Sequence, residues 1–125
     1  MQAVSLFERL GGSAGIKALV GDIVARHMEN PAIRARFRPY LETPDRLESL
    51  KKHVCAFFEA GGGGSAQYTG RTMQQVHRGM NISEAEYMAA LDDILAALKK
   101  RGVDEQSQKD VLAIGYSLKG EILHI

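Results

Sequence analysis

Two histidines stand where metal chemistry is open to them. His77 lies near the end of Tyr68-Thr69-Gly70-Arg71-Thr72-Met73-Gln74-Gln75-Val76-His77-Arg78-Gly79, and His53 sits within Leu50-Lys51-Lys52-His53-Val54-Cys55-Ala56-Phe57-Phe58. A neutral imidazole nitrogen is a good ligand for iron and related metals. Two helices, each offering one inward histidine among large apolar side chains, could hold a metal-centred planar cofactor between them. A b-type heme needs an axial nitrogen, a dry apolar slot and an open edge for its propionates. His77 answers the first need, with Met73, Val76 and Met80 around it. Phe37, Leu50, Val54, Phe57 and Phe58 could line the slot, with Ile94 and Leu95 behind it. Tyr68 could donate a hydrogen bond to a propionate at the mouth.

The same residue types also build ordinary cores. A lone histidine on an apolar helix face is commonly a hydrogen-bonded core residue, and a stripe of methionine and phenylalanine is commonly just packing. The run Gly61 to Gly64 alone reads as a loop or linker. Residue types therefore permit a heme without demanding one. Other chemistries find less support. His27, His53, His77 and His124 lack the close spacing of a zinc-protease helix or a zinc finger. The glycine run is not followed by Gly-Lys-Ser/Thr, so no phosphate loop is indicated. Cys55 lies two residues from His53, and such neighbours on a helix point in different directions. A paired cysteine nucleophile is not expected.

The elements that must position these residues are helical nearly throughout. Ser5 with Glu8 reads as a capping box that opens a short helix, stopped by Gly11-Gly12. Ser13 is the expected cap of a second helix with Ile16, Leu19, Val20, Ile23, Val24 and Met28 at helical spacing. A short turn from Ile33 to Phe37 and a polar connection through Pro39 and Tyr40 lead to Thr43-Pro44, a strong helix start. This third helix is expected to bury Leu47, Leu50, Val54, Phe57 and Phe58, with His53 on the same face. A short helix around Thr72 to Arg78 follows the glycines. Ser83 and Glu86 then form a capping box ahead of Tyr87, Leu91, Ile94, Leu95 and Leu98, and Gly102 closes that helix. Asp104 or Ser107 opens the last one, with Val111, Ile114, Leu118 and Ile122 inward. The expectation is an all-α fold of six unequal helices, four of which carry the core.

Composition narrows the function classes. With 125 residues, 45% of them hydrophobic, the chain is expected to form one domain over 1–125 with a real core. Sixteen basic residues nearly balance fifteen acidic ones, and no basic block stands out, so neither nucleic acid nor an acidic membrane surface is an expected partner. The single cysteine and the absence of a basic-then-apolar leader in Met1 to Arg9 fit a cytoplasmic protein.

Taken in order, these features resemble the truncated hemoglobin family, most like group I, from Leu6 to about Leu123. The marks are Leu6-Phe7-Glu8-Arg9-Leu10-Gly11-Gly12, Phe37 after the second helix, the glycine-rich stop before Tyr68-Thr69-Gly70, Met73-Gln74-Gln75-Val76-His77, and Gly79 to Ile82 before Ser83. The chain has no tryptophan, which sets it apart from groups II and III. The resemblance implies a two-over-two helical sandwich around heme b. It implies His77 as proximal iron ligand, Phe37 packed on the porphyrin and Tyr68 on a propionate. Where many group I members carry a distal tyrosine this chain has Val24, and Leu50 and Val54 replace frequent glutamines. His53 remains the polar candidate of the distal pocket. In some members a histidine there binds iron, in others it points to a propionate, and the reading favoured here is distal ligation. The link from Phe37 to Leu50 is longer than usual, so a shifted register would bring His27 or Tyr40 into the pocket instead. The implied function is reversible binding of oxygen, nitric oxide or carbon monoxide by a monomer or weak homo-oligomer. Alternatives at the same iron are electron transfer, nitric oxide dioxygenation or peroxide handling with a partner reductase.

Overall fold

The computed structural model describes residues 4–64 and 72–125. Among them the backbone forms α1 (Leu6–Arg9), α2 (Gly12–Glu29), α3 (Arg34–Phe37), a 3-10 turn (Arg38–Glu42), α4 (Pro44–Gly61), α5 (Met73–His77), α6 (Glu84–Lys100), α7 (Glu105–Ser117) and α8 (Lys119–Ile122). The four long helices are the four expected to carry the core. They pair as α2 with α4 and α6 with α7, and α2 also lies on α6. This is a two-over-two sandwich.

Local chemistry sets most of the helix ends. Ser5 Oγ accepts from Glu8 N, and Ser83 with Glu86 forms a complete reciprocal capping box. Asp104, rather than Ser107, caps α7 by accepting from Ser107 N. Pro44 occupies the first turn of α4 after Thr43, whose side chain makes no capping bond. Gly102 follows the end of α6 with φ +73°, the left-handed conformation that glycine adopts without a Cβ clash.

Three expectations need correction. Ser13 does not cap α2; the helix starts at Gly12 from a left-handed Gly11, which leaves Ser13 exposed in the first turn. The last helix is two, because Leu118 N turns back to Gly115 O and Lys119 begins a separate turn. The third expected helix, α4, has no fully buried side chain at all. Its apolar residues Leu47, Leu50, Val54, Phe57 and Phe58 are only half-buried.

Two clusters of buried residues make the core. The larger joins α2 to α6 and α7 through Ile16, Leu19, Val20, Ile23, Val24, Ala97, Leu98 and Val111, with Phe37, Leu47, Val54 and Phe58 packed on its flank. The smaller gathers Ile82, Tyr87, Leu91 and Ile122, with Met73 and Met80 against it. Ile94 touches both. The glycine run is a packed element as well as a helix stop. Gly62 is buried, its carbonyl accepts from Phe7 N at 2.8 Å, and a Cβ there would come within 2.9 Å of that nitrogen. Only glycine lets the end of α4 approach α1 so closely.

Candidate functional site

The helix that carries His77 has five residues, too few to persist by propensity. It is held by its surroundings. Thr72 and Gln75 form a reciprocal capping box at its start, and α5 rests on α8. Within it, His77 Nδ1 lies 2.8 Å from the Met73 carbonyl oxygen. A carbonyl can only accept, so Nδ1 must carry the proton. In the neutral ring that leaves the Nε2 lone pair free to ligate, the tautomer a metal-binding histidine needs. His77 is half-buried, and so are Met73, Val76 and Met80 around it.

Helix α4 is the second element expected to line the site. Leu50, Val54, Phe57 and Phe58 keep part of their apolar surface uncovered, although α4 is packed along α2. Half-burial of one whole apolar face is what a helix shows when a further apolar group completes its packing. Phe37 at the end of α3 and Ile94 and Leu95 on α6 share this half-buried state. Val24 differs: it is 4% exposed, sealed in the large cluster behind Val54. His53 is exposed on α4. Tyr68 lies outside the described residues. By residue type, the half-buried apolar face of α4 and the Nδ1-protonated His77 on α5 suit a planar apolar group with a nitrogen-seeking metal at its centre.

Two polar arrangements near these walls escape sequence reading. His27 is 7% exposed, stacks at 4.8 Å on Phe37 with the rings tilted, and shares Asp93 with Asn30. Burial lowers its pKa, and the hydrogen bond and charge of Asp93 only partly oppose this. At neutral pH the uncharged ring therefore donates Nδ1–H to the carboxylate at 2.8 Å. Arg36, next to Phe37, bridges α3 to α6 through two bonds to Glu86 and donates to the Met80 carbonyl at 3.0 Å. The guanidinium holds the Glu86 carboxyl well below the usual range, at about 2. Sequence reading finds Glu86 only as a cap, because its partner lies 50 residues away and no local pattern joins them.

Comparison with known proteins agrees with this fold. The family model of bacterial-like globins matches residues 5–124, and the chain belongs to that family. Its curated relatives are group 1 truncated hemoglobins. One from Tetrahymena thermophila is 28% identical over 102 residues, covering 82% of this chain and 80% of its own. Another from Mycolicibacterium paratuberculosis is 26% identical over 121 residues, covering 97% and 85%. The truncated hemoglobin of Tetrahymena pyriformis in its Fe(III) form superposes with a TM-score of 0.84 at 22% identity, over 98% of this chain and 100% of that one. The 2/2 hemoglobin of a Synechococcus species, solved in the cyanomet state with covalently attached heme, gives 0.83 at 21% identity, over 96% and 98%. The chain is thus a bacterial-like globin whose sequence relatives include group 1 truncated hemoglobins. Among the described residues, no helix is long and apolar enough to cross a membrane.

Proposed function

We propose that the chain binds heme b between α4 and α5, with His77 as its axial ligand, and takes up diatomic gases on the α4 side. Bound heme would supply an iron centre that His77 could hold and that could bind a small gas. The observation that carries the assignment is the His77–Met73 hydrogen bond, which fixes the tautomer and turns Nε2 outward from α5. Met73, Val76 and Met80 exclude water around that nitrogen, while Leu50, Val54, Phe57, Phe58, Phe37 and Ile94 supply the apolar slot. Tyr68 is proposed as a propionate contact. The exposure of His53 supports a place for it at the open edge, where it can meet a propionate and still reach water.

Val24, Leu50 and Val54 offer no hydrogen-bond donor to a gas on the distal side. Each absent donor weakens retention by about 1 kcal/mol, roughly fivefold in affinity. The apolar wall therefore favours quick exchange of oxygen, nitric oxide or carbon monoxide over long storage. It also counts against nitric oxide dioxygenation or peroxide handling, which need a polar group to move protons on that side.

Hemin titration of the purified chain tests the reading. A stoichiometric Soret band is expected, shifted by carbon monoxide after reduction and abolished or strongly altered in His77→Ala. An unaltered spectrum in that variant would remove His77 from the iron. His53→Ala is expected to leave the ferric spectrum unchanged; a change from low to high spin would restore His53 as second ligand.

A further inference from the structure

The segment that follows His77 is held down by the last residues of the chain. Gly79 N and Asn81 N both donate to the Ile125 backbone oxygen, at 3.0 and 3.2 Å, and His124 N donates to Ile82 O at 3.0 Å. Ile82 and Leu123 form a parallel bridge beside these bonds. His124 Nδ1 and Asn81 Oδ1 meet at 2.9 Å. Asn81 and His124 are also the only non-glycine residues with positive φ among the described residues, at 48° and 54°. Left-handed backbone is uncommon outside glycine, and asparagine and histidine are among the types that adopt it most readily. Two such residues are paired with each other, and both lie in the joint between residues 79–82 and 123–125. Beneath the joint, Ile82 and Ile122 are buried in the small cluster on which Met73 and Met80 pack.

From this we infer that residues 122–125 form a strap that positions His77, with Asn81 and His124 as its positioning residues. The inference rests on the reading of His77 as the heme ligand. A five-residue helix has little rigidity of its own. Its capping box fixes the start, and Met80 N bonded to the His77 carbonyl at 3.0 Å passes the position of the strapped segment back to the ligand. Freeing that segment lets the ring tilt and withdraw, so heme leaves faster while the long helices stay intact.

The test compares the full chain with one ending at Leu123, with His124→Ala and with His124→Asn. Amide exchange at Gly79 and Asn81 in the heme-free protein reports the strap itself. Transfer of heme to excess apomyoglobin and the iron–histidine stretch of the ferrous protein report the ligand. The shortened chain should keep its helical circular dichroism, lose protection at both amides, and release heme at least about 10-fold faster, since it loses four bonds: Gly79 N and Asn81 N to Ile125, His124 N to Ile82, and His124 Nδ1 to Asn81. His124→Ala should release heme about two- to fivefold faster for its one side-chain bond, and His124→Asn should recover most of this because asparagine can adopt the left-handed backbone and keep a bond to Asn81. The iron–histidine stretch should shift in the shortened chain and in His124→Ala. Lost amide protection with unchanged heme release and an unchanged stretch would overturn the positioning role. If the shortened chain fails to fold, His124→Ala decides: release at the parent rate overturns the inference. Failure of the full chain to bind heme through His77 would instead remove the proposed function.

Discussion

Helices α2 and α4 have the same length, 18 residues, and lie against each other, yet they are built for different jobs. α2 buries Ile16, Leu19, Val20, Ile23, Val24, His27 and Met28, whereas α4 buries none of its side chains completely. Both sequences carry an apolar stripe at helical spacing. The stripe of α2 is satisfied by α6 and the rest of the large cluster. That of α4 is met mainly by α2, with the 3-10 turn and α1 packed near its two ends, and stays half-exposed. The difference separates residues sealed in the core from residues that keep apolar surface uncovered, a distinction that hydrophobic periodicity does not make.

Mutations in the two helices should therefore part company. Leu19→Ala removes a side chain that is 1% exposed and should cost about 2–5 kcal/mol in urea unfolding, with or without heme. Val54→Ala, on half-buried α4, should cost the heme-free chain less than about 1.5 kcal/mol while speeding heme loss severalfold. Equal destabilisation of the heme-free chain by both would break the comparison.

A smaller effect comes from the Arg36–Glu86 pair at the edge of the site. The folded pKa of Glu86 is lowered from 4.5 to about 2, so the folded state binds fewer protons there than the unfolded state. Its contribution is complete above about pH 4.5 and is lost as pH falls toward 2. Glu86→Gln keeps a side chain able to complete the Ser83 capping box while removing the charge. It should cost roughly 1 kcal/mol at neutral pH, since both partners are partly wet, and nearly nothing at pH 2. Denaturation at both pH values checks this. The smallest effect is that of His27. Its folded pKa is lowered, so stability from the neutral ring is full above 6.5 and declines as acid protonates the unfolded chain first. Between pH 7 and 5, His27→Gln should flatten the fall of stability with acid. An unchanged slope would mean that His27 is not buried as the neutral ring.

The local parts of this architecture are legible in the sequence because their causes are local. Ser83 with Glu86, Thr43 with Pro44, and the spacing of Leu19, Ile23 and Val24 each act within one or two turns. His77 is legible through its apolar neighbours and the family's order of marks. The joints between distant segments are not. His27 meets Asp93 across 66 positions, Arg36 meets Glu86 across 50, and His124 meets Asn81 across 43. Polar residues at such separations leave no periodic trace, and their pairing follows only once the helices have been stacked. Ser13 shows the opposite failure: a good local cap was overruled by Gly11, whose left-handed turn starts the helix earlier.

Amide hydrogen exchange, read residue by residue with and without one equivalent of hemin, tests the central claim most directly. If α4 and α5 are the two walls of the heme slot, hemin should slow exchange strongly along Leu50 to Phe58 and Met73 to Arg78. The amides of α2 around Leu19 and Val20, already sealed in the core, should change little. Protection gained elsewhere while α4 stays as it was would contradict the account.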